Sequence, residues 1–399
     1  MYLKNTLSQH RHALLPQDAR YLGSNAIDEV ARFHAVRDKN EPTPLHNLPA
    51  LARRLGLGSL HVKDEGYRLG LSSFKALGGA FALMKLVQDE ATRQLDRPVM
   101  VSELMAADVR EIAATMTFAC ATDGNHGRSV AQGAQLVGAK SVIFVHAGVS
   151  DARIAAIARF GAQIVRVSGN YDDSVAEAAR VAMDEGWTVL SDTSWPGYEH
   201  IPSLVMQGYT LMVREMHDVL DRPPTHVFLQ AGVGGFAAAV AGSMCLQLGK
   251  DRPHITVVEP SRAACLFESA QAGRLHKIAE SQPTVMAMLE CYEPSMIAYR
   301  ILERAADGFM TVEDDDAKAV MRRLAQPSNG DPAIVAGESG GAGLAGLLAV
   351  MKDQTLAHEI GLGPSSRVLV INTEEATDPE LYLRIVGKTA TEVLKGSTA

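Results

Sequence analysis

Short runs of β-branched residues alternate with alanine-rich segments through the middle of this 399-residue chain. The clearest succession predicts four strands and the three helices that join them: strand 117–121, helix 127–137, strand 141–146, helix 151–160, strand 163–167, helix 172–185 and strand 188–191. Such alternation is typical of parallel sheets with crossover helices. The sequence therefore predicts an α/β fold with a compact four-stranded unit.

Two further series flank this unit. The first predicts a strand at 60–63 and a helix from Lys75 to about Leu86, followed by a polar stretch. The second predicts a helix over 201–220 and then strands, which are 225–230, 255–259 and 367–372. A chain of this length can form more than one core.

Composition excludes several classes of function. The formal net charge is −8, and 47% of the residues are hydrophobic. A slight acidic excess argues against electrostatic binding to nucleic acid or to an anionic membrane. The N-terminus lacks the apolar core of a signal peptide, and the longest apolar run, near 335–351, is rich in glycine and contains Glu338. We expect a cytoplasmic protein with no membrane partner.

Four cysteines stand at positions 120, 245, 265 and 291. None belongs to a CxxC pair and no HExxH motif occurs, so a zinc site is not expected. In a reducing cytosol, free and mostly buried thiols are the default.

Lys75 follows two serines at the start of an amphipathic helix. The unpaired N–H groups of a helix start disfavour an ammonium group, and a dry site would do the same. A neutral lysine can act as a base or form a Schiff base. The alternative is an ordinary surface lysine that reaches into water.

A glycine-rich loop, Gly232-Val233-Gly234-Gly235, joins an apolar strand to an alanine-rich helix. This arrangement favours an anion at the helix N-terminus. The loop also fits the dinucleotide pattern, with Glu259 at the end of the next strand as a candidate ribose ligand. A nicotinamide or flavin enzyme, a non-catalytic cofactor-binding protein and a plain structural turn are the alternatives.

A third motif, Thr122-Asp123-Gly124-Asn125-His126-Gly127, follows the predicted strand 117–121. Together with Phe74-Lys75 and the glycine loop, it resembles the fold-type II (tryptophan synthase β-like) pyridoxal-phosphate enzymes, and within them the diaminopropionate ammonia-lyases. The resemblance covers nearly the whole chain. Asp123 makes it specific, because related dehydratases usually have a small residue there.

The resemblance implies an α/β fold of two parallel-sheet domains with the active site in the cleft between them. The larger, discontinuous domain would comprise 1–88 and 205–399, and the smaller one 89–204. It also implies a homodimer and pyridoxal 5'-phosphate as cofactor. The cofactor-binding residues that it implies are Lys75, Phe74, Asn125, Gly232, Val233, Gly234, Gly235, Glu338 and Thr373.

The implied chemistry is elimination from 2,3-diaminopropionate, giving pyruvate and two ammonia. Lys75 would remove the α-proton of one isomer and Asp123 that of the other, so that both L- and D-isomers react. Thr373, a neutral hydroxyl at the pyridine nitrogen, would favour β-elimination over transamination. A serine or threonine dehydratase and an amino-acid racemase are the alternatives within the same fold.

The implied substrate-binding residues are Asp123, Asp192 and Tyr171. Each has a structural alternative. Asp123 could cap a helix, Asp192 could order its own loop, and Tyr171 could pack at a helix start. Cys265 and Cys291 match cysteines of a relative and could be joined or free.

Overall fold

The computed structural model describes residues 1–122, 124–327 and 330–396. Asp123, which the sequence analysis singles out, lies outside them. The described residues form eleven strands, which are β1 (Tyr2–Lys4), β2 (Leu45–Asn47), β3 (Ser59–Asp64), β4 (Thr117–Ala121), β5 (Lys140–His146), β6 (Gln163–Val167), β7 (Thr188–Val189), β8 (His226–Gln230), β9 (His254–Pro260), β10 (Gly308–Val312) and β11 (Arg367–Asn372).

Helices connect these strands. Within the same residues they are α1 (Pro16–Leu22), α2 (Ser24–Ala35), α3 (Pro49–Arg54), α4 (Lys75–Leu95), α5 (Ala107–Thr115), α6 (Asn125–Val137), α7 (Asp151–Ala158), α8 (Tyr171–Glu185), α9 (His200–Tyr209), α10 (Leu211–Val219), α11 (Gly235–Leu248), α12 (Cys265–Ala272), α13 (Met296–Ala305), α14 (Asp314–Ala325), α15 (Ala342–Lys352), α16 (Gln354–Glu359), α17 (Pro379–Val386) and α18 (Ala390–Gly396). Short 3-10 helices cover Glu65–Gly70, Val101–Glu103, Gly249–Asp251 and Ala287–Leu289.

Contacts divide the chain into two units. The larger unit contains Met1–Gly23, Pro42–Arg68 and the chain from Met212 onward, and the smaller contains Ser24–Glu41 and Leu69–Leu211. This division differs from the predicted domain boundaries, because α4 and α9 pack with the four-stranded unit.

Seven strands form the sheet of the larger unit in the order β1-β10-β9-β8-β11-β3-β2. The five inner strands run parallel, and β1 and β2 pair antiparallel at the edges. Successive strands β8, β9 and β10 extend the sheet in one direction, whereas β11 and β3 lie on the other side of β8. Open α/β sheets bind ligands at the carboxyl ends of strands where the order reverses in this way. The glycine loop follows β8 and Thr373 follows β11, so both stand at that edge.

Four parallel strands form the sheet of the smaller unit in the order β6-β5-β4-β7. The strand order reverses between β4 and β7. Thr122 and Asn125 follow β4, and Asp192 follows β7, so this sheet also brings polar residues to the carboxyl ends of adjacent strands.

Helix α4 is fixed in the smaller unit by close crossings with α6 and α9. A Cβ atom on Gly208 would lie 2.8 Å from the Cα of Gly78, so the backbones of α4 and α9 approach too closely for a side chain there. The Ala80 N–H donates a hydrogen bond to Ser129 Oγ of α6 at 3.0 Å. These contacts hold the helix that begins with Lys75.

Most predicted elements are confirmed within a few residues, and three differ. Helix α4 continues to Leu95, because Val87 and Ala91 are buried beyond Leu86 and ion pairs such as Arg93–Glu90 lie among the polar residues there. The predicted helix 201–220 is two helices, separated where the Thr210 hydroxyl donates to the Gln207 carbonyl at 2.7 Å. The predicted strand 188–191 ends at Val189. Strands β1, β2 and β10 were not predicted.

No helix among the described residues is long and apolar enough to cross a membrane.

Candidate active site

Lys75 is the first residue of α4, as predicted, and follows a turn in which Ser72 has a φ of 59°. Its backbone N–H donates a hydrogen bond to Ser73 Oγ at 3.3 Å. The Phe74 ring lies beside the Lys75 side chain, with 5.9 Å between Nζ and the ring centroid. The same ring also contacts Tyr209, at 4.8 Å between centroids.

The ammonium group of Lys75 forms an ion pair with the carboxylate of Asp192. Both side chains are mostly buried, with 23% and 15% of their surfaces exposed. Burial alone would raise the pKa of Asp192, but the Lys75 ammonium outweighs it and holds that pKa well below its usual range. The sequence predicts a neutral amine at this helix start. For Lys75 to become neutral, its ion pair with Asp192 has to open.

His126 lies close enough to this pair to be influenced electrostatically by both groups. Its Nε2–H donates to the carbonyl of Leu190 at 3.0 Å, and its Nδ1 has no partner among the described residues. Burial lowers the pKa of His126, and the Asp192 carboxylate offsets this only in part. The ring is therefore neutral, with a lone pair on Nδ1.

The turn after β4 is organised by Thr122. Its hydroxyl oxygen accepts hydrogen bonds from the N–H groups of Gly124 and Gly127, at 3.0 and 3.1 Å. Asn125 is the first residue of α6 and is buried, and its Oδ1 accepts from Arg128 at 2.5 Å. Tyr171 is the first residue of α8 and is 39% exposed.

In the larger unit, the glycine loop leads from β8 into the N-terminus of α11. Gly234 has a φ of 98° and the helix start has no side-chain cap. A Cβ atom on Gly232 would lie 2.9 Å from Cys291 Sγ, so the loop has no room for a side chain there. This bare helix start fits a phosphate group. The Val233 carbonyl accepts a hydrogen bond from the Ser295 N–H at 2.9 Å.

Thr373, which follows β11, is buried and accepts a hydrogen bond from Gln230 Nε2 at 3.0 Å. The carbonyl oxygens of Gly340 and Ile371 lie 2.7 and 2.9 Å from the same nitrogen, so three acceptors share its two N–H groups. Glu338 is also buried, in the turn that precedes α15. Gln230 was not singled out in the sequence, although a polar residue that ends an apolar strand before a glycine loop is a usable signal.

Glu259 does not serve as the ribose ligand that a dinucleotide site would need. Both its carboxylate oxygens accept backbone N–H groups at the start of α12, from Leu266 at 2.8 Å and Phe267 at 2.7 Å. The side chain is completely buried and caps that helix. This removes the main support for a nicotinamide enzyme.

No disulfide joins the four cysteines, all of which are among the described residues, so Cys265 and Cys291 are not linked in the structure. No group of three or more potential metal ligands (His, Cys, Asp or Glu) occurs among the residues described.

Comparison with known sequences decides between the remaining interpretations. Residues 36–374 match the profile of the family described as pyridoxal-phosphate dependent enzyme. The chain belongs to this family. The predicted fold-type II architecture and the predicted pyridoxal phosphate cofactor are thereby confirmed.

Relatives within the pyridoxal-phosphate dependent enzymes are similar over nearly their full length. The chain is 40% identical to a diaminopropionate ammonia-lyase of Salmonella typhimurium over 92% of this chain and 93% of that protein. It is 38% identical to the Escherichia coli diaminopropionate ammonia-lyase over 92% of each.

A crystal structure of the holo Escherichia coli diaminopropionate ammonia lyase has a TM-score of 0.87 and 34% identity, over 97% of this chain and 96% of that one. Another structure of that enzyme, in complex with an aminoacrylate-PLP azomethine reaction intermediate, has a TM-score of 0.85 and 35% identity, with the same coverage.

Proposed function

We propose that this chain eliminates ammonia from 2,3-diaminopropionate, giving pyruvate and a second ammonia by hydrolysis. The observation that carries the proposal is the ion pair of Lys75 with Asp192, which joins an amine at a helix start to a carboxylate suited to hold an ammonium group. The full-length similarity to diaminopropionate ammonia-lyases supports the same substrate.

The residues present fit pyridoxal phosphate. The bare N-terminus of α11 at Gly232–Gly235 would bind the phosphate, Lys75 would bind the aldehyde carbon, and Asn125 would bind the ring hydroxyl. Phe74 and Glu338 complete the predicted binding residues. When bound, this cofactor withdraws electrons from the substrate Cα and so makes the α-proton removable.

The hydroxyl of Thr373 would donate a hydrogen bond to the pyridine nitrogen of the cofactor. Its oxygen faces the Gln230 amide nitrogen, which can only donate and whose two N–H groups are shared between Thr373 and two neighbouring carbonyls. The Thr373 proton is therefore available to an acceptor such as an unprotonated pyridine nitrogen. A neutral donor there leaves the ring nitrogen unprotonated, which favours loss of a β-substituent over transamination.

Two bases would serve the two isomers. Once its amine is free and neutral, Lys75 takes the α-proton from one face of the substrate. Asp123, which follows β4, takes it from the opposite face. The β-amino group leaves readily only when it is protonated, and Asp192 is the carboxylate that would hold it as an ammonium. In the structure the ammonium group of Lys75 is paired with the Asp192 carboxylate. The β-ammonium group of the substrate is the same kind of cation.

Tyr171 would line the substrate site in this proposal, and its exposure at the start of α8 leaves its side chain accessible. From the same family resemblance we infer a cytoplasmic homodimer. Light scattering of the purified chain tests the dimer.

Product analysis tests the proposed reaction. With 2,3-diaminopropionate the purified, cofactor-loaded chain should release pyruvate and ammonia in a ratio of one to two. One ammonia per pyruvate from serine, with no turnover of 2,3-diaminopropionate, would indicate a dehydratase. An inverted amino acid without ammonia would indicate a racemase.

A further inference from the structure

The segment that carries Asp192 is held by Tyr198 of the same loop. The Tyr198 hydroxyl donates a hydrogen bond to the Val189 carbonyl at 2.8 Å and accepts one from the Ser191 N–H at 3.0 Å. These two backbone groups lie at the end of β7 and directly before Asp192. A single phenol therefore binds the backbone on either side of Leu190, in the turn that leads to Asp192.

The opposite side of this turn is fixed by other groups. His126 donates to the carbonyl of Leu190, the residue between the two that Tyr198 binds, at 3.0 Å. The Tyr198 ring stacks on Trp195 with 4.2 Å between centroids and 13° between planes, and the Trp195 carbonyl accepts the Tyr198 N–H at 2.9 Å. Consequently the ring remains in place through contacts that do not involve its hydroxyl.

We propose that Tyr198 is a positioning residue that holds Asp192 where it receives the β-ammonium of the substrate, and so contributes to selectivity for an ammonium over a neutral leaving group. This inference rests on the proposed function. β7 ends at Val189, and the Leu190 N–H still donates to the Ala119 carbonyl of β4 at 2.8 Å, so the restraint at Ser191, one residue further on, comes from outside the sheet. The hydroxyl of Tyr198 supplies that restraint.

The chemistry of the phenol suits this task. One hydroxyl both donates and accepts, as the carbonyl of Val189 and the N–H of Ser191 require. Burial raises the pKa of Tyr198, so the hydroxyl keeps its proton at neutral pH. Phenylalanine would preserve the stacking on Trp195 and remove only the two hydrogen bonds.

The test compares Tyr198→Phe, Asp192→Asn and the double variant with the wild-type holoenzyme. The substrates are 2,3-diaminopropionate and 3-chloroalanine, whose chloride leaves without an ammonium. Tyr382→Phe is the matched control, because it removes a buried hydroxyl that has no partner within the described part of the chain. The absorbance of the bound cofactor and the melting temperature show whether each variant is loaded and folded.

We expect Tyr198→Phe to keep the cofactor band and to lose on the order of tenfold in kcat/KM for 2,3-diaminopropionate. Its kcat/KM for 3-chloroalanine should stay within about twofold of the wild type. For 2,3-diaminopropionate, the double variant should have nearly the same kcat/KM as Asp192→Asn alone. Equal losses on both substrates, or losses that multiply in the double variant, would overturn the proposal.

Failure of the proposed function gives a different result. If the wild type releases pyruvate from 3-chloroalanine but none from 2,3-diaminopropionate, the proposed reaction is wrong. The dissociation constant of 2,3-diaminopropionate, measured from the cofactor absorbance, then decides on Tyr198. If Tyr198→Phe binds more weakly than the wild type, and the double variant binds no more weakly than Asp192→Asn alone, Tyr198 positions Asp192. If Tyr198→Phe binds as tightly as the wild type, the proposal for Tyr198 is contradicted.

Discussion

The side-chain amide of Gln230 donates a hydrogen bond to the hydroxyl oxygen of Thr373 across 3.0 Å. Because the same amide nitrogen also faces the carbonyls of Gly340 and Ile371, which can only accept, its orientation is fixed. Gln230, the last residue of β8, therefore presents only a donor to Thr373, and the Thr373 hydroxyl must donate its proton to a different group.

Thr373→Val should weaken binding of pyridoxal phosphate on the order of tenfold, because the substitution removes a buried hydroxyl and leaves the Gln230 amide with one acceptor fewer. Titration of the apoprotein, followed by absorbance, measures this. Thr373→Ser keeps the hydroxyl and should bind nearly as the wild type does. Equal affinity of the valine and serine variants would show that the hydroxyl does not contact the ring.

Asp123→Asn should slow turnover of one isomer of 2,3-diaminopropionate far more than the other. A second base acts on one face only, and loss of a general base typically costs about 10² to 10⁴ in rate. We expect the D-isomer to lose at least about a hundredfold and the L-isomer much less. Separate assays of the two isomers measure this, with Asp172→Asn at the start of α8 as control. Parallel losses would contradict the assignment of two faces.

Gly208→Ala should destabilise the smaller unit. The new methyl group would lie 2.8 Å from the Cα of Gly78 and 2.9 Å from the Leu77 carbonyl oxygen, both of which are backbone atoms of α4. Overpacking of this kind lowers the free energy of unfolding by about 1–3 kcal/mol. Urea denaturation measures it, and Gly363→Ala, where nothing lies within 4 Å, is the control. An unchanged midpoint in Gly208→Ala would mean that the helices separate at little cost.

The order of the elements could be predicted because each strand and helix carries its own periodicity. Strands β4, β6 and β11 were predicted at their observed bounds. Helix α4 was predicted too short, because its last turns are mostly polar and bury only isolated apolar residues, Val87 and Ala91. Strands β1 and β2 have three residues each, too few for an alternating pattern to be recognised.

The site was only partly predictable for a different reason. Lys75 and the glycine loop lie at helix starts, a position that the local sequence reveals. The contacts of Gln230 with Thr373 and of His126 with Leu190 join residues 143 and 64 positions apart. No local pattern indicates such contacts. The selection of Asp192 came from the family resemblance, and its pairing with Lys75 emerged only from the fold.

The proposed reaction requires that the amine of Lys75 carries pyridoxal phosphate. Borohydride reduction of the loaded protein, followed by peptide mass spectrometry, identifies the lysine that holds the cofactor. We predict that the visible absorbance band disappears on reduction and that the added mass lies on the peptide containing Lys75. Lys75→Ala should lack both the band and the added mass, whereas Lys85→Ala on the same helix should retain both. A reduced adduct on another lysine, or an undiminished band in Lys75→Ala, would show that Lys75 does not carry the cofactor.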